Sequence, residues 1–408
     1  MTRYLRGLDP VECLVRATGT RILLAQKASA LQITNRALRK ATQKDEEEIS
    51  LALRAVLASD VHRQTILELT GQDAQDLLNL IHANIDKGYL SHPQDVVFAR
   101  RAHKLVIRLS VACGIFPSSL LIDGVTLLET ESVSGGAFAD IYRATYNGQQ
   151  IALKRLRVWE RSDRLRIHRV TPLTTNLLVT GIDARTLQMI CQEALLWRRL
   201  QHPYVLPFIG VDPSIYSPSI CLASPWMENG TILSYMTENG VLHLERHLLE
   251  IAQGLEYLHN ENIVHGDLRG ANILVDSSWH ARIADFGLSV LSEATINNSE
   301  TSNSAGAARW MAPELHDPEA FDLPRHQKTK ASDVYAFGCT CLELYSHKPP
   351  FHDVRNPTTV VLKVLRGERP TIPASVTRRM RDIIQVSWSQ NHADRPMILD
   401  VISMLRKV

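Results

Sequence analysis

Cysteine is scarce in this chain, with six residues in 408, and those six are scattered. That excludes a disulfide framework and fits a reduced, cytoplasmic setting. Cys339 and Cys341 form a C-x-C pair inside an apolar run that reads as a buried helix. No second cluster completes the four ligands of a metal site there. Long hydrophobic runs are also missing. The best stretch, Leu105 to Ile122, is interrupted by Arg108 and broken by Gly114 and Pro117. It falls short of the roughly 18 apolar residues that predict a membrane span. The first residues lack the apolar core of a secretory signal, and Asp9 and Glu12 weaken a mitochondrial reading of the early arginines. Nor does one sign of charge dominate. Lys and Arg number 45 against 43 Asp and Glu, a net charge of +2, which gives no support to nucleic-acid or polybasic membrane binding.

What remains is an ordinary globular composition, 45% hydrophobic and 22% charged, in a chain long enough for about two or three domains. Residues 1–120 read as an all-α region. Leu77, Leu78, Ile81 and Ile85 keep helical spacing, with Gly88 closing the segment. A second helix is expected from Pro93, with Phe98, Ala102, Leu105, Val106 and Leu109 on one apolar face and Gly114 as its C-cap. The acidic run Asp45 to Glu48 is expected to open another helix. The same region reads as a plain helical bundle or as a regulatory, partner-binding module.

From about residue 121 the pattern changes to short β-branched runs: Gly124 to Leu128, Asp140 to Tyr146 and Gln150 to Leu156, with Asn147-Gly148 as a hairpin turn. Helices dominate again from about 230. Strands first and helices later predict an α+β unit with two lobes. The polar stretch Ser289 to Ser304 reads as a mobile loop.

Several motifs carry chemistry. Ser134-Gly135-Gly136-Ala137 offers small residues between two strands, where backbone N–H groups can approach phosphate oxygens; by itself it is a turn. Ile151-Ala152-Leu153-Lys154 ends an apolar strand on a lysine, a point charge for a phosphate if an acid partners it. Glu193, on a helical pattern with Trp197 and Leu200, is the candidate. Next come His265-Gly266-Asp267-Leu268-Arg269-Gly270-Ala271-Asn272, Asp285-Phe286-Gly287 and Ala312-Pro313-Glu314. An Asp and an Asn five apart can address a nucleophile and a metal, and a second Asp before Phe-Gly can hold Mg²⁺ against a triphosphate.

In this order and spacing the motifs resemble those of a eukaryotic-type protein kinase domain, over about residues 124–408. Ser332 to Gly338 and Asp394-Arg395-Pro396 add to the likeness. Arg309-Trp310-Met311 is similar to the tyrosine-kinase-like branch of Ser/Thr kinases, and the loop motifs resemble kinase families expanded in fungi. The resemblance implies a bilobal kinase fold behind the helical region: a β-rich N-lobe at about 124–224, a hinge at 225–229 and a helical C-lobe at 230–408. It implies ATP and Mg²⁺ as cofactors and an unidentified protein as substrate. By the same resemblance, Val133, Ser134, Gly135, Gly136 and Ala137 cover the phosphates. Ile141, Ala152 and Leu274 flank the adenine, which Met227 meets at the hinge with its N–H while Pro225 offers a carbonyl. Lys154 binds phosphates and pairs with Glu193. Asp267 takes or orients the substrate proton, Arg269 offsets phosphoryl charge, and Asn272 and Asp285 hold Mg²⁺. Arg395 is expected to pair with Glu314. Trp197, Phe208, His265 and Phe286 fall at the places of the regulatory spine.

The chain also departs from the family pattern. Ser134 and Ala139 stand where glycines are usual, Ala307 stands where Ser/Thr kinases carry Thr, and Lys154 lies 39 residues before Glu193, with an extra segment at about Arg161 to Arg185. These leave a second reading open, a scaffold that binds nucleotide or partners without efficient phosphotransfer. Gly266 replaces the arginine that would read an activation-loop phosphate. Acidic substitutions at the hydroxyl residues from Ser289 to Ser304 are therefore expected to change phosphotransfer by less than about tenfold. A larger gain in a peptide-phosphorylation assay would reinstate loop phosphorylation as the switch.

Overall fold

The computed structural model describes residues 9–30, 36–87, 96–135, 139–156, 184–217, 219–240, 243–286, 307–324 and 326–406. Gly88, Pro93, Gly136, Ala137, Gly287, the extra segment as far as residue 183 and the stretch from Ser289 to Ser304 lie outside them. The chain forms two compact units. One comprises 1–148, 153–199 and 209–223; the other comprises 149–152, 200–208 and 224–408.

The first unit begins with helices α1 (Pro10–Ala30), α2 (Arg36–Ala58), α3 (Asp60–Leu67), α4 (Gly71–Asp86) and α5 (Val96–Cys113). Asp9 caps α1 through its carboxylate, which accepts from the Val11 N–H at 2.8 Å, and Pro10 takes the first helical position. The acidic run lies inside α2 instead of opening it. The preceding Arg-Ala-Leu-Arg-Lys-Ala are good helix formers and extend the helix back to Arg36. Glu46 of that run pairs with Lys87 at 2.7 Å, just past the end of α4. Leu53, Leu77, Leu78, Ile81, Leu105 and Leu109 are fully buried and form the core of this bundle. The helical spacings of α4 and α5 thus give its interior, and Gly114 follows α5 at φ +66°.

The strands are β1 (Thr126–Leu127), β2 (Ser134–Gly135), β3 (Ala139–Tyr146), β4 (Gln149–Leu156), β5 (Gly210–Asp212) and β6 (Cys221–Pro225), in the sheet order β1-β3-β4-β6-β5 with β2 also on β3. Asn147 and Gly148 have φ of 50° and 76°. Two consecutive positive φ values make the two-residue turn whose twist matches a β-hairpin. Helix α6 (Ala184–Arg198) follows β4. The connection from α5 to β1 runs along the sheet edge, where the Ile122 N–H donates to the Val211 carbonyl at 3.0 Å. Gly210 makes room for it. A Cβ there would meet Ile122 Cγ2 at 2.4 Å and the Leu120 carbonyl at 2.9 Å.

The second unit contains α7 (Ile232–Asn239), α8 (Leu244–Asn260), β7 (Ile273–Val275), β8 (Ala281–Ile283), α9 (Pro313–His316), α10 (Lys330–Ser346), α11 (Pro357–Leu365), α12 (Arg378–Ser387) and α13 (Ile398–Arg406). β7 and β8 form an antiparallel ribbon pairing Ile273 with Ile283. Helix α10 is buried along most of its length and opens on a reciprocal cap between Thr329 and Ser332. Among the described residues no helix is long and apolar enough to cross a membrane.

The Arg395–Glu314 pair forms as a two-pronged contact, Nη1 to Oε1 at 2.6 Å and Nη2 to Oε2 at 2.7 Å. Both side chains are almost wholly buried. Arg395 also donates to the Ala331 and Ser389 carbonyls. Removing one partner leaves the other charge buried without compensation. Arg395→Met is expected to lower unfolding stability by about 3–5 kcal/mol, read from urea titration of the full chain.

Candidate active site

Within the first unit, Lys154 sits near the end of β4 and Glu193 on the inner face of α6. Both are buried, and Lys154 Nζ lies 3.4 Å from Glu193 Oε1. That is longer than a tight charge-assisted hydrogen bond of about 2.7–2.9 Å. Two charges that have both left water still require each other at this distance. Val133, Ser134 and Gly135 are exposed and lead into β3. The Val133 N–H donates to the Ile141 carbonyl at 2.9 Å, and Ser134 lies in register with Ile141. The Ser134 and Ala139 side chains are thus carried on paired strands without breaking them. Ile141 is half-buried.

Within the second unit, the loop from His265 to Asn272 is built around two buried anchors. The first is Asp333 on α10. Its carboxylate accepts from the His265 N–H and the Gly266 N–H, both at 2.8 Å, and lies 2.9 Å from His259 Nε2 of α8. The second is His265 itself. Burial pushes its imidazole below the ordinary histidine range, so it is neutral. Nε2 faces the Ala284 carbonyl at 3.1 Å and Nδ1 accepts from the Asp267 N–H at 3.2 Å. One tautomer, with the proton on Nε2, satisfies both contacts. Gly266 between them has φ +76°, a conformation that glycine adopts freely.

Asp267 is held on its carboxylate side as well. Asn272 Nδ2 donates to Asp267 Oδ2 at 2.9 Å and to its carbonyl at 2.7 Å. Arg269 Nε lies 3.4 Å from the same Oδ2. The guanidinium sits over the Trp310 ring, 5.9 Å from its centre. The Asn272 carbonyl accepts from the Ala284 N–H at 2.9 Å, which fixes the loop against the segment leading to Asp285. Asp285 is half-buried at φ +56°, a sparsely populated conformation for a non-glycine residue, and Phe286 beside it is buried.

The residues expected at the hinge follow β6. The Trp226 N–H donates to the Gln150 carbonyl at 3.1 Å, and the Met227 carbonyl accepts from Gly230 at 3.0 Å. Gly230 in turn accepts from Val275 of β7 at 2.9 Å. Ala152 and Leu274 are half-buried in this unit. Asn272 and Asp285 offer hard oxygen donors: Asn272 commits its Nδ2 to Asp267, which leaves its amide oxygen, and Asp285 adds a carboxylate. That donor set fits Mg²⁺, a cation held by one or two protein oxygens together with phosphates.

One residue with a clear part in this arrangement is absent from the sequence reading. Glu343, buried on α10, accepts from the Gly270 N–H at 2.8 Å and from Trp310 Nε1 at 3.0 Å. It ties the Asp267 loop to the Arg309-Trp310 segment. The signal available was a lone carboxylate inside an otherwise apolar helical run, since such a group must find donors when buried.

The geometry agrees with what the chain is similar to. The family model described as protein tyrosine and serine/threonine kinase matches residues 127–405. Serine/threonine-protein kinase STY17 of Arabidopsis thaliana is 29% identical over 292 residues, which is 70% of this chain and 45% of that protein. Serine/threonine/tyrosine-protein kinase HT1 of the same plant is 28% identical over 281 residues, 67% of this chain and 64% of its own length. Receptor-interacting serine/threonine-protein kinase 2 of Bos taurus is 32% identical over 248 residues, 54% of this chain and 43% of that protein. The chain therefore spans less than two thirds of the length of these relatives.

Burial is the main influence on Glu343. It pushes the carboxyl from an ordinary 4.5 up to about 6, against the opposing pull of the Gly270 N–H, Trp310 and Arg269. The folded chain keeps this proton to higher pH than the unfolded chain. Its stabilising contribution is therefore complete below about pH 4.5 and is lost as the pH rises through about 6. Glu343→Gln, which keeps an acceptor for both donors, is expected to remove about 2 kcal/mol of pH-dependent stability between about pH 4 and 7. Urea unfolding at a series of pH values reads this directly. An unchanged slope in the variant would show that Glu343 does not titrate there.

Proposed function

Since the chain belongs to the protein tyrosine and serine/threonine kinase family and has its α+β, bilobal fold, we propose that it transfers the γ-phosphoryl group of Mg-ATP to a protein hydroxyl, serine or threonine in preference to tyrosine. The observation that carries this reading is the set around Asp267. A carboxylate is held on one oxygen by Asn272 and Arg269 while its backbone is fixed through His265. In this reading Asp267 receives or orients the proton of the attacking hydroxyl. Arg269, already beside that carboxylate, offsets charge on the group in transfer. Lys154, kept extended by Glu193, meets the phosphates nearer the nucleoside. Val133 to Ala137 cover them, Ile141, Ala152 and Leu274 flank the adenine, and Met227 meets its edge. Asn272 and Asp285 are the oxygens that would hold Mg²⁺, whose charge neutralises the phosphates. Phosphoryl transfer is mostly positioning and electrostatics, so a rigid set of this kind is most of what the chemistry needs.

The preference for serine or threonine rests on the Arg309-Trp310-Met311 segment and on the relatives, which are named as serine/threonine kinases or as acting on tyrosine too. Residues 124–408 form the catalytic part in this proposal, with 1–120 as its regulatory or partner-binding region. The setting is cytoplasmic, with a protein as substrate. The scaffold reading loses support because Asp267, Asn272 and Asp285 are all present and because Ser134 and Ala139 fit their strands.

Purified full chain with Mg-ATP and a generic protein substrate is expected to release ADP. Asp267→Asn should lower the rate by about 10²–10⁴-fold. Phosphoamino-acid analysis should find phosphoserine and phosphothreonine. No release from folded wild-type protein would return the scaffold reading.

A further inference from the structure

Helix α6 carries Glu193 on one side and meets the helical region on another. Two contacts define that second side. Helices α5 and α6 pack directly on each other, with Ser110 of α5 and Cys191 of α6 both fully buried. The Ser110 side chain lies near the Cys191 thiol, which burial pushes up to about 12, and its hydroxyl has no hydrogen-bond partner there among the described residues. At the other end, Arg199 Nη1 lies 3.3 Å from His103 Nε2, also on α5. His103 and Ser110 are seven residues apart on α5, and Cys191 and Arg199 are eight apart at the end of α6. As one number rises the other falls, so the helices pair antiparallel along about two turns. Val106 on α5 and Leu195 on α6 fall between the two contacts, and both are buried. Glu193, two residues after Cys191, projects about 200° round the helix from it. Pressure from α5 therefore acts on the side of α6 away from Lys154.

The support behind α5 is itself fixed. Gln75 of α4 donates to the Phe116 carbonyl at 3.0 Å, and Asn79 exchanges hydrogen bonds with Ser118 at 2.8 and 3.1 Å. Six residues past Phe116, Ile122 is bonded to the edge strand β5 over Gly210, which has no space for a side chain. The connection is thus pinned to α4 at one end and to the sheet at the other.

We propose that α5 is the positioning element for Glu193. Ser110 and Val106 hold α6 at the depth where its carboxylate meets Lys154, so the helical region is a built-in brace of the nucleotide-binding machinery and not a detachable module. The inference rests on the kinase reading only for its consequence; the packing it describes can be tested without phosphotransfer.

The test uses the full chain and follows the rate at which acetic anhydride modifies Lys154, resolved by mass spectrometry. The exposed lysine Lys348 serves as the internal standard. Ser110→Leu adds carbons against Cys191 and is expected to speed Lys154 labelling about tenfold. Val106→Ala is milder and is expected to give about threefold. Ser110→Ala keeps the close packing and removes only a hydroxyl without a hydrogen-bond partner among the described residues, so it should leave the rate unchanged. In ADP release, Ser110→Leu should lower kcat/KM for ATP. In a Glu193→Gln background the same change should add nothing, because the two act through one contact. Labelling of Lys154 at the wild-type rate in both Val106→Ala and Ser110→Leu would overturn the proposal, as would full additivity with Glu193→Gln. Lys154 that responds in a wild-type background without ADP release would sink the kinase reading and leave the brace standing.

Discussion

The carboxylate of Asp333 is the constraint on which the second unit depends. It is 1% exposed and gathers three donors from two separate parts of the chain: His259 on α8 and the backbone of His265 and Gly266. A buried carboxylate without donors would be prohibitively unfavourable, whereas one with a full set of partners rigidifies everything that supplies them. Because the loop is attached to α10 through its backbone, its course does not depend on which side chain stands at 266. Asp267 is then the first residue past a fixed point. His265, one residue on the other side of Gly266, closes the arrangement by linking the Asp267 N–H to the segment before Asp285.

The first unit meets a different physical demand. A lysine and a glutamate must both leave water and then face each other at the junction of a strand and a helix. A strand is held by its ladder, but a helix of 15 residues depends on what packs against its apolar side. Ile190, Cys191 and Ala194 of α6 are fully buried, which is a large apolar demand for a helix that must also present an acid. Here α5 takes part in meeting it, and the connection from Ile115 to Ile122, anchored by buried Ile115, Phe116, Leu120 and Ile122, ties the end of α5 to α4 and to the sheet. Glu343 plays a comparable part in the second unit, joining the loop of Asp267 to Trp310 through a single shared oxygen.

Much of this was legible in the sequence for reasons that are local. Asn147-Gly148 specifies its turn because both residues tolerate positive φ, and the α5 face at 102, 105, 106 and 109 is buried as its period requires. The loop motifs were legible because residue type and spacing there are set by chemistry. The start of α2 was misplaced because an acidic run favours a helix N-terminus but does not require one, while the residues before it continue the helix. Asp333 and Glu343 could be seen in the sequence, but their tasks could not. A carboxylate in an apolar helix reads only as a demand for donors, and those donors lie about 70 residues away. The pairing of α5 with α6 joins residues 96 positions apart and leaves no trace in any spacing.

Gly266 also decides what a side chain at this position would cost the loop. With φ at +76°, a side chain at this position would carry about 1–2 kcal/mol of strain. That strain is tolerable where the side chain gains a charged phosphate to hold. With glycine in place the backbone relaxes and Asp333 still fixes the loop. Reinstating arginine would bring the strain back at once, while the compensating contact would also need a phosphorylated residue within reach. An arginine at this position would therefore stabilise the loop only together with such a phosphate, and glycine there leaves the loop to be fixed by Asp333 without one.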